Sequence, residues 1–92
     1  MKKNYLIGYD LNKSGQDYST LINKIKELGT WWHCLDSTFI IKTPYSAIEI
    51  RNYLRNYIDS NDELLVVGLT AEAAWAGFDK NCSDWLLNNI PN

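Results

Sequence analysis

The stretch Trp31–Lys42, WWHCLDSTFIIK, predicts a β-hairpin in the middle of the chain. Its two halves, Trp31–Leu35 and Thr38–Lys42, are rich in aromatic and β-branched residues, which favour strands. Only Asp36 and Ser37 lie between them, and two-residue connections are the commonest hairpin turns. The hairpin therefore supplies two neighbouring antiparallel strands around which the rest of the fold is arranged.

The segments on either side of the hairpin alternate between helix and strand patterns. Tyr5–Asp10 and Leu64–Leu69 are the predicted first and fourth strands, because each is short, apolar and bounded by turn residues. Apolar residues at the helical period predict one helix over Asp17–Leu28, with Gly29 as its C-cap. The same period predicts a second helix over Ser46–Ile58, which begins with a serine–glutamate capping box.

The resulting order, β-α-β-β-α-β, predicts an α+β fold of the ferredoxin-like type. We expect a four-stranded antiparallel sheet with both helices on one face. Residues 1–92 then form a single domain, with a core over 4–70 and a C-terminal extension over 71–92. In that extension we predict a short edge strand at Trp75–Phe78 and a closing helix at Ser83–Ile90.

The strand patterns also predict a homodimer. A sheet covered by helices on one face normally alternates apolar and polar residues. Leu64–Leu69 and Phe39–Ile41 do not alternate, so both faces of the sheet need cover. The C-terminal extension supplies some of that cover, and a second copy packed sheet to sheet about a two-fold axis supplies the rest.

Composition limits the classes of partner and location. With 92 residues, 46% of them hydrophobic, the chain is long enough for one packed domain. It has no apolar run near the roughly 20 residues that span a bilayer, and its N-terminus lacks the apolar stretch of a signal peptide. We therefore expect a cytoplasmic protein with no membrane partner. A net charge of −2 argues against duplex DNA as its main partner, because phosphate neutralisation needs clustered Lys and Arg.

The two cysteines, Cys34 and Cys82, form no metal-binding pattern, since they lie 48 positions apart and the chain has a single histidine. We predict two half-buried free thiols in a reducing compartment.

The topology predicts a polar site at one end of the sheet. Strand 1 ends there at Asp10, and the fold brings Ser37 and Thr38 to one side of it and Glu63 to the other. Asp10 is a candidate oxygen ligand for Mg²⁺ or Mn²⁺, and hence a candidate catalytic residue. Two copies of Asp10 meeting at a dimer axis would hold one ion over a phosphodiester. The alternative is a structural Asp10 that accepts backbone N–H groups in the turn it opens.

Two further groups of residues extend this predicted site. The loop containing Asn12, Ser14 and Gly15 precedes a helix N-terminus, which attracts phosphate; the alternative is an ordinary turn with Ser14 or Asp17 as N-cap. Trp31 and the neighbouring His33 share one strand face, suited to stacking on a base or to acid–base chemistry. The alternative is simple packing, with His33 satisfied by a backbone carbonyl or by Asp36. The predicted ligand-binding set is Asn12, Ser14, Gly15, Trp31, His33, Asp36, Ser37 and Thr38.

The stretches Tyr5–Asn12, Gly15–Tyr18 and Trp31–Thr38 resemble a family of small bacterial and phage proteins labelled SinR-like. The resemblance covers about residues 4–78. More distantly, the chain is similar to the second CRISPR-associated protein family, the small subunit of the adaptation complex. That resemblance implies a βαββαβ fold and a two-fold dimer.

The resemblance to the CRISPR-associated family also implies a role for Asp10. It matches an aspartate that is linked to metal-dependent nuclease activity in some members, whereas other members bridge DNA without catalysis. The chain departs from that family in charge, because it lacks arginine-rich helix faces.

Three functions follow as hypotheses. The first is a dimeric nucleotide- or nucleic-acid-related binding module, of phage or defence-system origin, that sequesters a small phosphorylated ligand rather than acting as an enzyme. The second is a Mg²⁺- or Mn²⁺-dependent endonuclease or phosphodiesterase centred on Asp10. The third is a subunit that acts only through protein–protein interaction.

Overall fold

Four strands form one antiparallel sheet in the order β2-β3-β1-β4 in a computed structural model, which describes residues 1–12 and 18–90. The strands are β1 (Lys3–Asp10), β2 (Thr30–Leu35), β3 (Thr38–Thr43) and β4 (Glu63–Gly68). The predicted four-stranded antiparallel sheet is therefore confirmed. One crossover joins β1 to β2 and the other joins β3 to β4. They are interleaved, because β3 lies between β1 and β2, and β1 lies between β3 and β4.

Three helices accompany the sheet: α1 (Ser19–Lys26), α2 (Ala47–Leu54) and α3 (Lys80–Asn89). Helix α2 begins where the capping box predicts. The Glu49 backbone N–H donates to Ser46 Oγ at 3.1 Å, and the Ser46 N–H donates to Glu49 Oε1 at 2.9 Å. A single 3-10 turn over Arg55–Tyr57 follows it. Helix α2 is therefore shorter than the predicted helix over Ser46–Ile58.

Helix α1 also differs from its predicted bounds. It starts at Ser19 and ends at Lys26, and the predicted N-caps Ser14 and Asp17 lie outside the described residues. The prediction that Gly29 caps this helix is wrong, because Glu27 occupies the C-cap and Gly29 has no positive φ angle. A different constraint acts on Gly29, since an added Cβ would overlap the backbone carbonyl oxygen of Lys42.

Replacing Gly29 with alanine is therefore expected to destabilise the fold by about 1–3 kcal/mol, the range of overpacking substitutions. The obstructing atom belongs to the backbone of β3 and cannot rotate away as a side chain would. Urea unfolding followed by circular dichroism measures the loss. Gly8→Ala is the matched control, because its added Cβ would meet only Leu6 Cδ2, at 3.9 Å. Equal stability of the two variants would contradict this account.

Helices α1 and α2 cover the same face of the sheet, as predicted. Ile7, Phe39 and Ile41 project from the strands on this face, and Ile25 and Ile50 meet them from the two helices. All five side chains are fully buried. Full burial of one such side chain contributes about 1.5–3 kcal/mol, so this layer is the main source of stability.

The opposite face of the sheet carries a second apolar cluster, in which Trp32 and Ile40 pack against Leu86 of α3. Residues 69–79 connect β4 to α3 without helix or strand. The prediction of an edge strand at Trp75–Phe78 is therefore wrong. The aromatic residues that favour a strand there pack instead against this second cluster, and the Phe78 and Trp32 rings meet edge to face at 5.1 Å.

A disulfide joins Cys34 of β2 to Cys82 of α3, with their Cα atoms 6.4 Å apart. The prediction of two free thiols is wrong, because the docking of α3 on the second face brings together two cysteines that are 48 residues apart. The bond ties the first turn of α3 to the sheet. It also removes the free thiols as a reason to expect a reducing compartment.

Only half of the second face is covered. Trp32, Ile40, Leu6 and Val67 are successive register partners that form one row across all four strands. Trp32 and Ile40 are buried, whereas Val67 is 41% exposed and Leu65, two residues away on β4, is 56% exposed. An apolar strip on β4, formed by Leu65 and Val67, is therefore open to solvent.

Within residues 1–12 and 18–90, no helix has both the length and the hydropathy needed to cross a membrane.

Candidate functional site

A polar cavity lies at the end of the sheet where the sequence predicts one. Asp10 and Glu63 are register partners at the end of the β1–β4 ladder, so both side chains lie on the second face. The hairpin turn is held beside them, because the Tyr9 N–H donates to the Ser37 carbonyl oxygen at 3.1 Å. Together with Thr38 these residues line a cavity of about 470 Å³, here called the acidic cavity.

Asn12 positions Glu63 in this cavity. Its Nδ2 donates to Glu63 Oε1 at 3.2 Å and to the Asn61 carbonyl oxygen at 2.7 Å. Its backbone N–H donates to Asp62 Oδ1 at 2.9 Å. Asn12 thus ties the exit of β1 to the loop before β4. Its amide hydrogens are engaged within the fold, which makes it a positioning residue for the carboxylate rather than a free ligand donor.

The acidic cavity suits a cation. The side chains that line it include two carboxylates, Asp10 and Glu63, and the hydroxyls of Ser37 and Thr38, and none of the lysines or arginines in residues 1–12 and 18–90 is among them. No group of three or more histidine, cysteine, aspartate or glutamate side chains arranged to hold a metal occurs among the described residues. A divalent cation bound here would therefore keep water or ligand oxygens in most of its coordination positions.

Trp31 and His33 lie away from the acidic cavity, on the first face of the sheet at the β2 edge. The His33 ring stacks on Phe39, with ring centroids 3.8 Å apart. Lys26 Nζ lies 4.3 Å from the centroid of the Trp31 ring, a cation–π contact. Burial and the neighbouring charge of Lys26 lower the pKa of His33, and Asp36 opposes them. These contacts match the packing alternative for both residues.

The structure thus divides the predicted ligand-binding set. Asp10, Ser37 and Thr38 line one cavity, with Asn12 behind it. Trp31 and His33 form a separate cluster, and Asp36 of the hairpin turn acts electrostatically on His33. Ser14 and Gly15 lie outside the described residues.

A second cavity, which the sequence did not predict, lies between the sheet and the C-terminal extension. It has a volume of about 380 Å³ and is here called the apolar cavity. Leu6 and Ile40 form its floor, residues 69–78 and α3 form its walls, and Trp75 and Phe78 contribute aromatic rings. Its walls come from a segment without periodicity, so no sequence pattern indicates it.

The two cavities are neighbours. Thr38 lines both of them. Along the second face of β1, Leu6 lines the apolar cavity, whereas Gly8 and Asp10 line the acidic cavity. The second face therefore changes from apolar to acidic over four residues of one strand.

Comparison with known proteins does not assign this site. No family model matches the chain, and no solved structure matches it. The chemistry of the cavity residues is therefore the basis on which a function is argued.

Proposed function

We propose that the protein is a dimeric binding module for a small phosphorylated ligand of the nucleotide type, held through Mg²⁺ or Mn²⁺ in the acidic cavity. The pairing of Asp10 with Glu63 beside the hydroxyls of Ser37 and Thr38 carries this proposal. Carboxylates alone repel phosphate, whereas Mg²⁺ is typically bound by one or two carboxylates together with phosphate oxygens of a substrate. The cation thus converts an acidic cavity into a phosphate site.

The proposal includes a ferredoxin-like fold and kinship with the SinR-like and CRISPR-associated families. Interleaved βαβ units support the first, because a split βαβ arrangement defines that fold. The position of Asp10 at the end of β1 supports the second. Fold and kinship do not transfer activity by themselves.

Location is part of the same proposal. A cytoplasmic location stays a prediction, and the redox state of Cys34 and Cys82 in cells tests it, because disulfides persist mainly in oxidising compartments.

Asp10→Asn and Glu63→Gln are expected to weaken binding of ATP in the presence of Mn²⁺ by about tenfold or more, which corresponds to about 1.4 kcal/mol. Each substitution removes a negative charge from the cation's ligand set with little change in shape. Isothermal titration calorimetry with and without Mn²⁺ measures the effect. Asp84→Asn is the control, because this carboxylate pairs with Lys80 on α3 and lines neither cavity. Equal ATP affinity with and without Mn²⁺ would contradict the proposal.

Metal-dependent phosphodiester cleavage is the second candidate function, and the same carboxylate pair favours it. The variants above distinguish the two candidates when Mn²⁺ and single-stranded DNA or RNA are added. Cleavage by the wild type that Asp10→Asn abolishes would replace sequestration with catalysis. Binding of ATP without cleavage of either polymer would support sequestration.

The exposed apolar strip supports the homodimer. Val67 continues the row that α3 buries on the other half of the face, and Leu65 lies two residues from Val67 on the same face. A two-fold contact brings the same strip from both copies together, which removes it from water without any other partner.

Val67→Glu is expected to convert the dimer to monomer, because it places a charge at the centre of that strip. Sedimentation equilibrium measures the mass. Tyr45→Glu is the control, since Tyr45 is 46% exposed and lines a cavity with residues of α2 and with none of β4. A monomeric wild type would overturn the dimer and leave the strip for a different protein, the third hypothesis.

A further inference from the structure

We infer that the apolar cavity binds the base of the nucleotide whose phosphates the acidic cavity holds, and that the ligand crosses between the cavities over Gly8. This inference rests on the proposed function, which places the phosphates of the ligand in the acidic cavity. It adds a second subsite, the residues that form it and a preference among bases.

The size and lining of the apolar cavity suit a flat aromatic ring. Its volume of about 380 Å³ falls within the range of small-molecule pockets. Trp32, Trp75 and Phe78 line it, and bases stack readily on such side chains. Trp32 is held in place, because its indole N–H donates to the Cys82 carbonyl oxygen at 3.1 Å. The fold therefore fixes at least this ring of the cavity.

The few polar groups of this cavity favour bases that carry an amino group. Glu72 is the one charged residue among those that line it, and Thr38 and Thr70 supply hydroxyls. A carboxylate accepts hydrogen bonds from an exocyclic amino group, as in contacts of Glu or Asp with cytosine N4. Adenine, cytosine and guanine have such a group and uracil does not. Charge and hydrogen bonding therefore predict weaker binding of uracil nucleotides.

Gly8 provides the passage between the two subsites. It lies between Leu6 and Asp10 on the second face, about 7 Å along β1 from Asp10. A Cβ built at Gly8 meets only Leu6 Cδ2, at 3.9 Å, so the space above this residue is open. Thr38 lies opposite Gly8 in the ladder and lines both cavities. A larger side chain at Gly8 would obstruct this passage without entering the core.

The test compares three probes by isothermal titration calorimetry with Mn²⁺ present: tripolyphosphate, adenosine and ATP. We expect ATP to bind about tenfold or more tightly than tripolyphosphate, because stacking of one base contributes about that much. UTP should bind several-fold more weakly than ATP. Gly8→Val should weaken ATP binding about tenfold while leaving adenosine binding unchanged, because Gly8 lines the acidic cavity and not the apolar cavity.

Ala74→Phe is the variant that fills the apolar cavity, since Ala74 lines it and is exposed. It should remove the advantage of ATP over tripolyphosphate. Ala76→Phe is the matched control on the same segment, because Ala76 does not line the cavity. The indole N–H signals give a second measurement: adenosine should shift those of Trp32 and Trp75 but not that of Trp31, on the opposite face.

The outcomes separate the two proposals. If tripolyphosphate binds with Mn²⁺ but ATP binds no more tightly, the base subsite is overturned and the proposed function stands. If adenosine binds and Ala74→Phe abolishes its binding while tripolyphosphate does not bind, the proposed function fails and the base subsite is supported. If none of the three probes binds, both are overturned.

Discussion

Replacing both Cys34 and Cys82 with serine is expected to lower the thermal unfolding midpoint by about 15 °C or more. The disulfide closes a loop of 48 residues, for which the chain-entropy model gives about 4 kcal/mol. In a domain of this size each kcal/mol shifts the midpoint by about 4–8 °C. This is among the largest effects of any substitution that leaves the main core intact.

The stability that is lost without the disulfide should be lost mainly from α3. Without the disulfide, this helix keeps Leu86 in the second cluster and long-range hydrogen bonds that include those from Asn4 Nδ2 to the Asn89 carbonyl oxygen at 2.8 Å and from Trp32 Nε1 to the Cys82 carbonyl oxygen at 3.1 Å. Hydrogen exchange should therefore rise first in α3, and the apolar cavity should lose one wall.

Circular dichroism melts of the wild type with and without a phosphine reductant measure this effect. The double serine variant is the control, because the reductant should leave its midpoint unchanged. Identical wild-type melts in both conditions would show that the bond is absent from the folded protein in solution.

Phe39→Ala is expected to lower the free energy of unfolding by about 3–5 kcal/mol, the usual range for removing a buried aromatic ring. Phe39 is fully buried at the centre of the first face. Its ring contacts His33 at 3.8 Å, Trp31 at 6.1 Å and Tyr9 at 6.4 Å between centroids. Truncation of Phe39 therefore leaves a cavity. The three neighbouring rings could fill it only if they lost their present packing contacts.

Urea unfolding measures the stability of this variant. Ile48→Ala is the control, since that side chain is 64% exposed and its truncation should change stability by no more than about 0.5 kcal/mol. A loss below about 1 kcal/mol for Phe39→Ala would show that the ring is not essential to the packing of this face.

Local sequence patterns predicted the elements of this fold because each pattern reports a local constraint. Ser46 and Glu49 satisfy backbone groups within one turn, so the start of α2 is visible in four residues. Strand geometry alone places Trp31 and His33 on one face and Trp32 on the other. The pairing of Asp10 with Glu63 depends also on the order of the strands in the sheet, in which β1 lies next to β4.

The second face was not predictable in the same way. Trp75 and Phe78 have strand propensity, but that propensity depends on what a residue packs against, and here both residues pack against the second cluster. The Cys34–Cys82 bond depends on where α3 docks, which no spacing along the chain records.

By itself, the sequence determined the order of the elements from β1 to β4, the face that each strand side chain takes and the end of the sheet at which Asp10 lies. Those properties depend on the helical and strand periods and on the order of the elements. Only the tertiary structure decided the disulfide, the apolar cavity and the exposed strip at Val67. These depend on how the irregular segment 69–79 crosses the second face, and long-range packing rather than local periodicity sets that path.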